Sequence, residues 1–132
     1  MYRKIVLSLI FATIWYTTPV VAHEMTPTYP EFTASHVDGV LKTTVNMFNR
    51  RADVAYFEIE VYDEEWYAIP FVSTSALIHL EYLKHATVDI YVKADDAKRA
   101  TYVCSISRLY GNKNGQSLLA SKICSKIKHS RF

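Results

Sequence analysis

The sequence predicts an all-β domain: two antiparallel sheets packed face to face as a sandwich of seven short strands. Apolar and polar residues alternate with period two through most of the chain, which is the pattern of strands with one buried face. Turn residues interrupt this alternation every eight to twelve positions, a spacing typical of β-sandwiches. Half of the 132 residues are hydrophobic, which is enough to form a packed core.

The predicted strands follow one another with short connections. The clearest is Val54 to Tyr62, where Phe57, Ile59 and Val61 share one face and polar residues or tyrosines occupy the other. Pro70 confines the strand that contains it to a sheet edge, because proline cannot donate to a ladder. The seven strands are predicted at 32–36, 41–47, 54–62, 66–72, 77–82, 88–92 and 100–109.

The C-terminal segment, 111–132, is predicted to be a turn followed by a short helix. Glycine and asparagine dominate 111–115, and Leu119, Ile123 and Ile127 then recur every four residues with lysines between them. We expect this basic amphipathic helix to dock on the sandwich. The alternative is contact with a membrane surface.

The first 22 residues are predicted to be a cleavable signal peptide. Arg3 and Lys4 precede an uncharged apolar run that is too short to span a bilayer, and Ala22 ends a small-residue cleavage site. The predicted domain organisation is therefore a leader at 1–22, a β-sandwich at 23–110 and the basic segment at 111–132. The expected location is secreted or periplasmic.

Charge is distributed unevenly along the chain. All thirteen acidic residues lie between Glu24 and Asp96, and from Ala97 onward there are eight basic residues and no acidic one. We expect most of this asymmetry to be neutralised within the fold, as an acidic sheet attracts a basic segment. Nucleic acid is not an expected partner of an exported chain.

Cys104 and Cys124 are the only cysteines. An even number of cysteines in an exported chain predicts a disulfide, here one that closes a loop of about 20 residues and stabilises the domain by about 3 kcal/mol. Two cysteines without a CxxC motif are poor zinc ligands.

Two stretches resemble known families. Ala100-Thr101-Tyr102-Val103-Cys104 is similar to the A-x-Y-x-C of an immunoglobulin strand F. The order of features from Val37 to Leu109 resembles the N-terminal domain of PapD-like periplasmic pilus-assembly chaperones, notably at 46–49, 57–63 and 96–102. The resemblance implies a single immunoglobulin-like (PapD-like) seven-stranded β-sandwich, to which the sequence adds the short C-terminal helix. In that family an exposed strand completes a partner's sheet, and two basic residues anchor the partner's carboxylate.

No catalytic motif accompanies this pattern, so we expect no enzyme and no cofactor. The predicted role is a binding or assembly module, chaperone-like in that it contacts a protein partner by β-strand addition. The candidate partner-binding residues are two tyrosines on one strand face, a neighbouring tryptophan and two arginines that are candidates for the family's basic anchors: Tyr56, Tyr62, Trp66, Arg50 and Arg51.

The alternative function is copper binding. Cleavage after Ala22 would make His23 the N-terminal residue, and its amine and imidazole would chelate copper in a histidine brace. Further ligands would come from His36, His79 or His85.

Overall fold

The structure, a computed structural model, describes residues 22–109 and 119–129 and consists of two antiparallel sheets. We number the strands in chain order: β1 (Glu24–Thr26), β2 (Thr33–Ala34), β3 (Val40–Phe48), β4 (Tyr56–Tyr62), β5 (Val72–Ser73), β6 (Leu77–His79), β7 (His85–Lys93), β8 (Tyr102–Arg108) and β9 (Lys122–Lys126). Within the described residues there is one helix, the single turn α1 (Ala94–Ala97).

The first sheet has the strand order β1-β3-β7-β5, with β2 also pairing β3, and the second has the order β6-β4-β8-β9. The longest pairing joins β3 to β7 over nine residue pairs. Apolar residues that the two sheets turn toward each other form the core together with Ile69 and Ala100 from the connections, and the strand residues among them with an exposed fraction of 2% or less are Val45, Met47, Phe57, Val61, Val88, Ile90, Val92 and Val103. The sandwich fold predicted from the alternating pattern is confirmed.

The alternation in β4 determines which side chains reach the core. Phe57, Ile59 and Val61 are buried, whereas the intervening residues of the strand are half-buried on the outer face. Burying each such apolar side chain stabilises the fold by roughly 1.5–3 kcal/mol. A shift of one residue in register would exchange the two sets, so this strand is strongly fixed in position.

The described residues form nine strands where seven were predicted for the chain, and the strand predicted at 66–72 is wrong. That stretch contributes only an isolated bridge between Tyr62 and Ala68 before β5 begins at Val72. Trp66 has a left-handed backbone, with φ of 67°, which interrupts an extended run. The Asp63 carboxylate accepts hydrogen bonds from the backbone amides of Glu65 and Tyr67, which stabilises a turn instead.

The predicted C-terminal helix is also wrong, since Lys122–Lys126 is strand β9. Ile123, Ser125 and Ile127 alternate toward the interior, and the buried serine hid this period-two pattern. The four-residue spacing of the isoleucines is twice the period of a strand, so it also fitted a helix. The membrane-surface alternative depended on that helix and is not supported by a strand. No helix among the described residues is long and apolar enough to cross a membrane.

The predicted disulfide is confirmed. Cys104 and Cys124 are bonded and lie opposite each other on β8 and β9, with their Cα atoms 4.0 Å apart. The predicted turn at 111–115, and all of the predicted leader except Ala22, lie outside the described residues. The domain boundaries therefore stay predictions.

Candidate protein-binding edge

Strand β9 is the outer strand of the second sheet and pairs with β8 along one side. The Cα separation of 4.0 Å identifies Cys104 and Cys124 as a non-hydrogen-bonded pair. We call residues 121–127 the β9 segment. In agreement with this pairing, backbone hydrogen bonds join Ser107 to Ser121 and Ile127 to Thr101, at odd-numbered positions of the β9 segment. Because successive residues of a strand point their N–H and C=O groups to opposite sides, the even-numbered residues turn these groups away from β8.

We call the backbone of Lys122, Cys124 and Lys126 the β9 edge. Among residues 22–109 and 119–129, no strand pairs with this edge. The next even-numbered residue, Lys128, does not belong to this edge, because its N–H donates to the carbonyl of Pro30 at 2.9 Å. Unpaired ladder groups on an outer strand are a template for another strand, so the β9 edge offers a short docking site.

Both faces of the β9 segment are attached to the domain, the inner face by packing and the outer face by the disulfide. Ser125 and Ile127 are buried at 3% exposure, Ile123 packs against the core, and the disulfide joins Cys124 to β8. An edge held in this way is pre-organised, so a partner strand meets backbone groups that are already extended. Pre-organisation lowers the entropy cost of binding.

A buried polar network connects the start of β1 to β8 and to the residue before β9. The His23 ring is 1% exposed and packs against Phe57, with ring centroids 4.8 Å apart. Its Nε2 lies 2.7 Å from Ser105 Oγ, and its Nδ1 lies 3.1 Å from Ser121 Oγ. The neutral imidazole satisfies both hydroxyls, with one nitrogen donating and the other accepting. This network fixes the entry of the chain into β9.

Burial lowers the pKa of His23 to about 4, with the nearby Arg51 guanidinium acting in the same direction and a hydrogen bond to the backbone of Ser105 opposing both. In the unfolded chain His23 binds a proton below about pH 6.5, whereas in the native state it stays neutral down to about pH 4. Protonation therefore favours the unfolded chain as soon as the pH falls below 6.5. The stabilisation that neutral His23 gives the native state is lost as the pH falls from 6.5 toward 4.

We therefore expect the free energy of unfolding to fall by on the order of 2 kcal/mol through His23 over this interval, after allowance for residual solvation. Urea unfolding at a series of pH values would measure it. Because carboxylates also titrate in this range, the control is His23→Gln, which keeps hydrogen-bonding groups and cannot take a proton. Equal pH dependence in both proteins would contradict the assignment.

The outer face of the second sheet carries an ion-pair network. Arg108 on β8 binds Glu58 at 2.7 Å and approaches Glu60 at 3.6 Å, while Lys122 on β9 approaches Glu60 at 3.8 Å. These contacts pair acidic β4 with two basic strands, as expected from the charge asymmetry. Lys126 has no ion pair among the described residues.

An aromatic cluster of Tyr62, Trp66 and Tyr102 covers one end of this face. Trp66 stacks on Tyr102 with nearly parallel rings 4.5 Å apart, and the Lys122 ammonium lies 4.0 Å from the Tyr62 ring centroid. The Tyr62 hydroxyl donates to Glu60. Lys122 is therefore held by a cation–π contact as well as by its carboxylate.

The structure brings only some of the predicted partner-binding residues together. Tyr62 and Trp66 are in contact, whereas Tyr56 lies at the opposite end of β4, about 20 Å away at the usual strand rise. Arg50 and Arg51 follow β3 and line a cavity of about 480 Å³ beside Ser121. The role of these five residues in binding stays a prediction.

Neither arginine is a free anchor for a carboxylate. Arg50 binds Glu24 at 2.7 Å, and Arg51, which is 9% exposed, binds Asp53 at 2.6 Å. Arg51 also donates to Ser121 Oγ at 3.4 Å, so it supports the network around His23. A partner's carboxylate would have to displace these acidic residues.

The four candidate copper ligands do not form a site. Both ring nitrogens of His23 contact serine hydroxyls, and the exposed rings of His36, His79 and His85 each lie against a different aromatic residue. In the described part of the chain, no group of three or more histidine, cysteine, aspartate or glutamate side chains could hold a metal ion. The four histidines are thus not brought together in the described residues, and copper binding stays a prediction from the sequence.

The β9 edge was missed by sequence reasoning. The signal was present in the alternation of Lys122, Cys124 and Lys126 with inward-facing residues, which predicts a strand once the four-residue spacing is read as two strand periods. Lysines on the outer residues are also typical of sheet edges.

Comparisons with solved structures assign the fold. The E. coli chaperone DraB matches with a TM-score of 0.60 at 18% sequence identity, over 80% of this chain and 53% of DraB. The periplasmic chaperone SfaE matches with a TM-score of 0.53 at 14% identity, over 80% of this chain and 55% of SfaE. This is a PapD-like fold. The PapD-like domain spans about half the length of these chaperones. No protein-family model and no curated protein sequence matches it.

Proposed function

We propose that this PapD-like domain is an exported, non-catalytic module that binds a protein partner in a chaperone-like manner, by adding a strand of the partner to the β9 edge. The observation that carries the proposal is the open backbone of Lys122, Cys124 and Lys126 on a firmly held outer strand. The fold shared with two periplasmic chaperones supports both the role and an extracytoplasmic location.

Strand addition makes a specific demand on the backbone. In the proposed complex, the N–H and C=O groups of the β9 edge exchange hydrogen bonds with an extended peptide, and the peptide's alternate side chains lie over the two faces of the sheet. Those on the inner face lie beside Ile123 and Ile127, so they should be apolar. The aromatic cluster lies on the outer face beside this edge. Tyr102 is on the neighbouring strand, β8, and Tyr62 is on the strand after it, β4.

The test compares Lys126→Pro with Lys126→Ala. Both substitutions remove the same charge, but only proline removes the N–H that faces the open edge. Proline is tolerated at an edge position whose N–H makes no ladder bond, so the domain should still fold.

The probe is a nine-residue peptide in which valine and glutamine alternate. Wild-type protein and Lys126→Ala should bind it with affinities within threefold of each other, whereas Lys126→Pro should bind at least tenfold more weakly in NMR titrations. Hydrogen exchange in the wild-type protein provides a second measurement. Peptide should slow exchange at the amides of Lys122, Cys124 and Lys126, and unchanged exchange there would refute the proposal even if the proline variant failed to fold.

A further inference from the structure

The charges on strand β9 specify the partner more narrowly than its backbone does. Residues that expose their backbone at the β9 edge also point their side chains to the outer face, so Lys122 and Lys126 lie on the same side of the same edge. A partner strand would place its own outer-face side chains directly opposite them, since opposite residues on neighbouring strands share a face.

The two lysines are not equivalent. Lys122 is already held by Glu60 and by the Tyr62 ring, with its ammonium also 5.4 Å from the Trp66 ring centroid. Lys126 lines a cavity of about 460 Å³ whose acidic residues are Asp63, Glu64 and Glu65. Asp63 pairs with Arg99 at 3.6 Å, and no carboxylate of the described residues lies within ion-pair distance of Lys126. Its ammonium, unlike that of Lys122, is therefore available to a partner's carboxylate.

The acidic residues of β4 do not supply a partner for Lys126. Glu58 and Glu60 on β4 pair with Arg108 and Lys122, so neither carboxylate of this strand is left for Lys126. On the other side of β9, a partner strand would be the next source of carboxylates.

We infer, on the basis of the proposed function, that the β9 edge selects an extended partner strand with carboxylates on its outer face and apolar residues on its inner face. A carboxylate opposite Lys126 would place an acidic strand beside the two basic strands β8 and β9, as β4 is on their other side. A lysine there would repel it, and the same repulsion disfavours pairing of β9 with β9 of a second copy of this chain.

The experiment uses the complete exported protein and three peptides of identical length. Valine occupies the odd positions of each peptide, and the even positions carry glutamate, glutamine or lysine. At low ionic strength the glutamate peptide should bind about fivefold more tightly than the glutamine peptide, and the lysine peptide about fivefold more weakly, because two exposed cross-strand pairs contribute modestly. At roughly 0.5 M salt the three affinities should converge to within about twofold.

Variants then locate the effect on the edge. Lys126→Glu should reverse the order of the glutamate and lysine peptides. Lys126→Gln should remove most of the preference, and Lys122→Gln only a smaller part, since Lys122 is already paired. Lys84→Gln removes one exposed charge from the turn before β7, away from the edge, and should leave the preference unchanged.

Each outcome bears on a distinct claim. Equal binding of all three peptides at low salt would overturn the selectivity while leaving strand addition in place. Failure of the glutamine peptide to slow amide exchange at the β9 edge would contradict strand addition itself. A concentration-dependent dimer in which these amides are protected would also overturn the selectivity, because two lysine-bearing strands would then pair.

Discussion

Replacing Asn49 by alanine is expected to lower the free energy of unfolding by about 3–5 kcal/mol, the largest effect of any single polar substitution considered for this domain. Asn49 is fully buried, and its side-chain amide donates to the carbonyls of Val54 and Leu80 at 2.7 and 2.8 Å. Its carbonyl oxygen accepts from the backbone N–H of Arg51 at 2.8 Å. Alanine leaves all three backbone groups without this partner inside the domain.

Asn46→Ala is the matched control. Asn46 is exposed on β3, three residues before Asn49, and accepts a single hydrogen bond from the Thr87 hydroxyl. Water replaces that bond, so the control should change the free energy of unfolding by no more than about 0.5 kcal/mol. Urea unfolding monitored by circular dichroism measures both. A loss of less than 1 kcal/mol for Asn49→Ala would show that water or a shifted backbone satisfies the freed groups.

Removing the disulfide, by the double substitution Cys104→Ala and Cys124→Ala, is expected to cost about 3 kcal/mol of stability. The bond closes a loop between residues 20 apart in sequence and lies on the outer strand. Its loss should act first on β9, because among the described strands only β8 forms a hydrogen-bonded ladder with β9. Amide exchange at Ile123 and Ser125 should accelerate before exchange in the central pair of strands, β3 and β7.

Wild-type protein treated with a reductant provides the control for the alanine substitutions themselves. Its free energy of unfolding in urea should equal that of the double variant to within about 0.5 kcal/mol. If oxidised and reduced proteins are equally stable, the disulfide does not hold β9, and the pre-organisation of the β9 edge has to come from the packing of Ile123 and Ile127.

Alternation of apolar residues was sufficient to predict the sandwich, because its central strands bury one face completely. In β4, for example, the inward set of Phe57, Ile59 and Val61 is apolar without exception. Short elements were not predictable in this way. β1 has three residues and its position depends on the distant contact of Met25 with Met47 in β3, which no local pattern reveals.

The candidate site was harder to predict than the fold, for two physical reasons. Buried polar residues disguise the pattern, as Ser125 does in β9, and whether a strand lies at the edge of a sheet depends on all the other strands. The sequence indicated an edge near Pro70, whereas the structure places the longer open edge at β9. His23 shows the same limit, since its burial against Phe57 follows from tertiary packing and not from its neighbours in the chain.

The contact between His23 and Ser121 joins residues 98 positions apart, and Pro30 likewise accepts a hydrogen bond from Lys128. Such distant pairings form late, since closing a long loop is entropically costly before its contacts can form. A chain that emerges from a ribosome or a translocation pore with its N-terminus first must hold β8 uncovered until Ser121 and the residues of β9 have followed. During that interval the nascent sandwich exposes the unpaired side of β8, and such an exposed strand edge is prone to aggregation until β9 pairs with it.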